Sequence, residues 1–134
     1  METSKNTSAL SYKTIVILDD QKTARDVHAA IIRSFNLPYQ VKIVPMQNAK
    51  ETLDWMSSKS VDLVISHYLM TDTTFDAFTG SISDIYKGKR RPKHIMITAS
   101  LEDQENYIYP VSAYLQKPVK RNTLEPIVSR LLIT

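Results

Sequence analysis

Thr14-Ile15-Val16-Ile17-Leu18-Asp19-Asp20 is the stretch whose reading decides the fold. Its apolar residues run without polar alternation, and most are β-branched. Such a run is a strand buried on both faces, the usual state in a parallel sheet covered by helices. It stops on two carboxylates. Beyond them Ala24, Val27, Ile31 and Phe35 recur at helical spacing, until Asn36-Leu37-Pro38 ends the pattern. A strand passing directly into a helix is the first half of a βαβ unit.

The same grammar repeats outward. Val41 to Val44 is a weaker strand, and Lys42 within it suits a sheet edge. Asn48 with Glu51 forms a capping box ahead of a face made by Ala49, Leu53 and Met56. Val61 to Ser66 predicts a third strand running into His67, and Phe75, Phe78, Ile82 and Ile85 predict a third helix. His94 to Thr98 and Ala113 to Gln116 predict two more strands, the last closed by Lys117-Pro118. Asn122 with Glu125 predicts a second capping box, before Ile127, Val128, Leu131 and Leu132. Between Thr98 and Tyr114 the apolar positions are sparse and Pro110 cuts them, which predicts a short or distorted fourth helix. Strands and helices in alternation imply an α/β fold: a doubly wound, five-stranded parallel sheet with right-handed crossovers, covered on both faces.

A chain of 134 residues suits one domain. The polar opening, residues 1–12, reads as a disordered leader, and residues 13–134 as the domain. No apolar run approaches the ~20 residues of a membrane helix, so a membrane partner is not expected and a cytoplasmic location is. Seventeen Lys and Arg against 14 Asp and Glu leave a net charge of +3, too little to imply nucleic-acid binding. The absence of cysteine excludes disulfides, thiol catalysis and Cys-based zinc sites. The one charge cluster, Lys87-Gly88-Lys89-Arg90-Arg91-Pro92-Lys93, reads as a solvated loop, with an anionic partner as its alternative.

In an open parallel sheet, ligands gather outside the carboxyl ends of the strands. Asp19-Asp20, Thr98 and Lys117-Pro118 all stand at such ends and should share one crevice. Paired carboxylates suit a hard divalent cation, and a hydroxyl and an ammonium suit phosphoryl oxygens. Plainer roles stay open. Asp19-Asp20 would serve as a helix cap, Thr98 as a strand residue, Tyr114 as a half-buried aromatic and Lys117 as a lysine before a turn.

Taken together, Ile17-Leu18-Asp19-Asp20, the segment Val61 to Met70, Ile97-Thr98-Ala99-Ser100 and Tyr114-Leu115-Gln116-Lys117-Pro118 resemble the response-regulator receiver domain of two-component signalling. The resemblance spans about residues 13 to 133 and implies the flavodoxin-like sheet order 2-1-3-4-5. It implies that Asp19 and Asp20 are the acidic metal-binding pair. It further implies that Thr98 is the phosphoryl-sensing hydroxyl, Tyr114 the switch aromatic and Lys117 the phosphoryl-binding lysine. The departure is His67, which stands where the family carries its phosphoacceptor aspartate, and Met70-Thr71 replaces the family's Met-Pro pair. Asp72 and Asp76 lie beyond, and neither is expected to reach the crevice in the acceptor's place.

An aspartyl phosphate needs a carboxylate, so His67 cannot form one. The resemblance therefore implies an atypical, non-enzymatic pseudo-receiver without a catalytic residue, acting as a protein-interaction module in a phosphorelay or derived pathway. Its expected partner is another signalling protein, such as a histidine kinase or an output protein, or a second copy of itself. No cofactor is expected beyond a weakly bound divalent ion. The alternative is a ligand-driven switch, in which a metal ion or a proton at His67, Asp19 and Asp20 replaces phosphorylation. Imidazole in such a set favours Zn²⁺, Ni²⁺ or Cu²⁺ over Mg²⁺.

Overall fold

The computed structural model describes residues 12–100 and 110–133. Five strands, β1 (Tyr12–Leu18), β2 (Gln40–Met46), β3 (Leu63–His67), β4 (Lys93–Thr98) and β5 (Ala113–Gln116), form one parallel sheet of order β2-β1-β3-β4-β5. Four helices are described: α1 (Lys22–Arg33), α2 (Ala49–Met56), α3 (Phe75–Ile85) and α4 (Arg121–Leu132). The predicted fourth helical segment lies outside the described residues, as does the leader apart from Tyr12.

Alternation along each strand sorts the core into two layers. Ile15, Ile17, Leu63, Ile65, Ile95, Ile97 and Leu115 face Ala29 and Ile32 of α1 and Leu124, Val128, Leu131 and Leu132 of α4. Val16, Leu18 and Val64 face Ala49 and Met56 of α2 and Phe78 and Ile82 of α3. Burial on both faces explains the lack of polar alternation in β1 and β3. The edge strand β2 carries both an exposed Lys42 and Pro45, residues that only an edge tolerates well.

Several boundaries differ from the sequence expectation: β2 is longer at both ends, β4 begins one residue earlier, and three further differences bear on the packing. First, β1 begins at Tyr12, which pairs with Gln40, so the last leader residue belongs to the sheet. Second, β3 begins at Leu63 rather than Val61, because the Asp62 carboxylate, not a strand carbonyl, accepts the Thr14 N–H at 2.9 Å. Third, Asn122 does not cap α4. The helix starts two residues earlier, with Lys120 at the cap and no side-chain cap bond. Glu125 instead accepts the Asn36 N–H at 3.1 Å and pairs with Arg121 at 3.0 Å, so it ties α4 to the end of α1. The first capping box does form, with the Asn48 side chain accepting the Glu51 N–H at 2.8 Å.

Candidate functional site

All five strands run the same way, so their carboxyl ends lie on one side of the sheet. Leu18 of β1 pairs with Ser66 of β3, which places Asp19 and Asp20 beside His67. A carboxylate oxygen of each Asp and a ring nitrogen of His67 all lie within 4.8 Å of one another. Asp19 is only 2% exposed, whereas Asp20 is on the surface and His67 half-buried.

A buried carboxylate must be compensated. Asp19 Oδ1 accepts the Gln21 N–H at 3.0 Å, and Lys117 Nζ stands 3.2 Å from Asp19 Oδ2. The Arg25 guanidinium donates to the Asp19 carbonyl oxygen at 2.7 Å, which holds α1 against the turn. Asp19 therefore works as the anchor of a turn and a salt bridge. The helix-cap position itself belongs to Gln21, which makes no side-chain cap bond. Lys117 arrives from the far side because its N–H donates to the Thr98 carbonyl at 2.8 Å, ahead of a cis Lys117–Pro118 bond.

His67 Nδ1 lies 3.1 Å from the Leu69 carbonyl oxygen. A carbonyl can only accept, so Nδ1 carries the proton in the neutral ring and Nε2 keeps its lone pair. The Thr98 hydroxyl is buried and donates to the Ser100 carbonyl at 3.2 Å. Tyr114 is half-buried in β5, opposite Met96 and on the sheet face away from Leu115. Asp19, Asp20, His67 and Lys117 thus meet directly, while Thr98 ends β4 and Tyr114 lies within β5.

Two contributors depart from the sequence reading: Asp72, which was not expected to reach the crevice, and His28, which was not singled out. Asp72 lines the crevice together with Asn48, Met70 and Thr71. Its carboxylate is not available to replace the missing acceptor. It accepts the first two N–H groups of α2, from Ala49 at 3.0 Å and Lys50 at 2.9 Å. Partial burial pushes its pKa up, but the N–H groups of Lys50, Ala49 and Asp72 itself outweigh this and hold it below the usual carboxylate value. His28 of α1 is the second, buried near Asp19 and Lys117. Burial lowers its pKa, Asp19 pulls the other way, and the charges of Lys117 and His67 lower it further. No local signal marks Asp72, since its partner helix begins more than twenty residues earlier. His28 was legible as i+4 to Ala24 on the apolar stripe of α1.

The fold matches solved structures closely. The receiver domain of a sensor histidine kinase from Pseudomonas aeruginosa, with a magnesium ion coordinated in its active site cleft, superposes with a TM-score of 0.78 at 21% identity, covering 92% of this chain and 100% of that one. A response regulator receiver domain protein from Clostridium thermocellum gives 0.75 at 19% identity, over 90% and 94% of the two chains. The chemotaxis response regulator CheY4 of Vibrio cholerae gives 0.70 at 22% identity, over 91% and 100%. No protein-family model matches the sequence, and no curated protein matches it. The chain has the flavodoxin-like receiver fold, the architecture of response-regulator signalling modules.

Proposed function

We propose that this chain is a pseudo-receiver: a non-enzymatic, protein-interaction module in a phosphorelay or derived signalling pathway that operates without phosphorylation. The observation that carries the reading is His67 at the end of β3, beside Asp19 and Asp20, where an acceptor carboxylate would stand. Its ring is held by the Leu69 carbonyl, and Asp72, the nearest other carboxylate in the crevice wall, is committed to α2. Lys117 is bridged to Asp19, so that carboxylate's charge is offset within the crevice. Its partner would be another signalling protein, a kinase or an output protein, or a second copy. The test is acetyl phosphate with Mg²⁺, read by intact-mass spectrometry. The unmodified mass is expected, and a stoichiometric phosphoryl adduct overturns the proposal.

A second reading is favoured by the same triad. Two carboxylates and one imidazole form a donor set for a borderline ion, and the Nδ1–H bond to a carbonyl orients His67 as metal-binding histidines are commonly oriented. Asp19, Asp20 and His67 would hold the ion, which would supply the charge that a phosphoryl–Mg²⁺ pair supplies elsewhere. Against it stands the Lys117 ammonium, already on Asp19. Calorimetric titration decides: Zn²⁺ binding that exceeds Mg²⁺ binding and disappears in His67→Gln supports the switch. Absence of saturable Zn²⁺ binding removes it.

A further inference from the structure

On α1 the apolar stripe expected from the sequence is only partly buried. The core takes His28, Ala29 and Ile32, while Ala24 is half-buried and Val27 is 49% exposed. Ala24 and Val27 instead wall a groove of about 460 Å³, together with Ala99, Pro118 and Val119. That volume is within the range of small-ligand sites. The groove lies beside the crevice, with Lys117 between the two.

His28 also lines the groove. The residue is only 6% exposed, yet its ring nitrogens have no hydrogen bond or ion pair among the described residues. Asp19, Lys117 and His67 act on it through charge alone. Two other unpartnered atoms, the Tyr39 hydroxyl oxygen and His94 Nδ1, are sealed from solvent. The His28 nitrogens are not sealed, so the ring opens on the groove that it lines. A polar group held this deep calls for a partner from outside the chain. Water would meet the ring but leave the apolar walls wet.

The chemistry of the occupant follows from the walls. Lys117 is the charged group among them, and Asp19 at 3.2 Å offsets it, which favours an uncharged ligand. Burial is the largest influence on His28 and favours its neutral ring. A neutral imidazole offers one N–H and one lone pair, and a hydroxyl matches either. An aromatic ring bearing a hydroxyl is an apolar body with one polar tip. A partner helix would need a longer apolar strip. Val27 is the one large apolar residue exposed on α1, and the Lys22–Asp26 ion pair stands beside it.

We propose that this groove binds a compact, uncharged small molecule of the phenol class, with its ring between Val27 and Pro118 and its hydroxyl on His28. The inference goes beyond the pseudo-receiver reading and does not depend on it.

The probe is phenol, titrated beside toluene, which lacks the hydroxyl, and benzoate, which carries a charge. Amide shifts are followed by NMR at fixed pH and ionic strength. Saturable millimolar binding of phenol is expected, with shifts at 21–28 and 117–119. Toluene should bind about tenfold more weakly, the effect of about one hydrogen bond, and benzoate should also bind more weakly than phenol. His28→Leu should abolish the preference for phenol over toluene. Val27→Glu alters an exposed position, so it should keep wild-type circular dichroism while weakening phenol binding about tenfold. It carries the test if His28→Leu does not fold. No saturable shift, shifts centred on 67–72, toluene equal to phenol, or phenol binding unchanged in the variants each overturns the assignment. Tighter binding of benzoate overturns the uncharged class. Shifts of the same amides on raising protein concentration alone would show a second copy on the groove, which also overturns it.

Discussion

His94 shows how much one buried side chain can impose. It is the second residue of β4, is buried, and packs against Phe75 and Phe78 with ring centroids 5.3 and 5.8 Å away. Its Nε2 is 2.7 Å from the Ser66 hydroxyl, while Nδ1 has no partner among the described residues. Burial, with a smaller push from the Arg91 charge, lowers its pKa to about 3. The folded pKa is thus below the unfolded value of about 6.5, so the unfolded chain takes up the proton first. Stability from the neutral ring is complete above that value and drains away as pH falls toward the folded pKa. His28, also lowered, acts in the same direction. Acidification should therefore destabilise the fold. Between about pH 6 and 4, His94→Phe should gain on wild type by up to ~1.4 kcal/mol per pH unit. Urea midpoints measured across that range check it, and parallel curves would show that the ring carries no such linkage.

Among the elements, α2 and α4 solve the problem of helix ends differently. α2 has only eight residues, too few to persist alone in water. It is held by Asn48 at its cap and by Asp72, which takes two more amide protons from a loop on another strand. α4 lacks a side-chain cap and carries Pro126 inside its second turn. Proline there cannot donate to the carbonyl of Asn122, four residues earlier, and its ring crowds that carbonyl. Both residues are exposed, so water can satisfy the orphan group. Pro126→Ala should restore the bond and stabilise the protein by about 1–3 kcal/mol, less whatever the freer unfolded chain takes back. Thermal denaturation read by circular dichroism provides the check, and a lower midpoint would mean that Pro126 has a packing role. No described helix is long and apolar enough to cross a membrane.

For the whole molecule, the parallel sheet sets two poles. Acidic residues and His67 collect at the carboxyl ends of the strands, and Lys59, Lys89 and Arg90 gather at the amino ends. At the first pole Lys117 offsets Asp19, and the neutral-capable ring of His67 stands where a third carboxylate would add repulsion. His67→Asp breaks that balance. Without divalent metal, three carboxylates would repel one another, and the variant should unfold at lower temperature than wild type. Mg²⁺ should reverse the loss, because a ligand that binds only the folded state stabilises it by mass action. Wild type should respond far less to the same Mg²⁺. Thermal midpoints of both proteins in EDTA and in millimolar Mg²⁺ measure it. Equal responses would show that residue 67 does not govern the site.

The sequence alone was enough for the strands, their parallel arrangement and the meeting of Asp19, Asp20, His67 and Lys117. Apolar runs such as Thr14–Leu18 are set by burial on both faces, and a parallel sheet leaves no choice about where strand ends gather. Tertiary structure alone decided the rest, because those outcomes turn on hydrogen-bond partners distant in the chain. The Asp72 clasp on α2, the diversion of Glu125 from an expected cap to Asn36 and Arg121, and the meeting of Lys59 with the 87–93 loop all join segments that no local pattern relates. Which of several competent donors reaches an acceptor first is settled only when the elements pack.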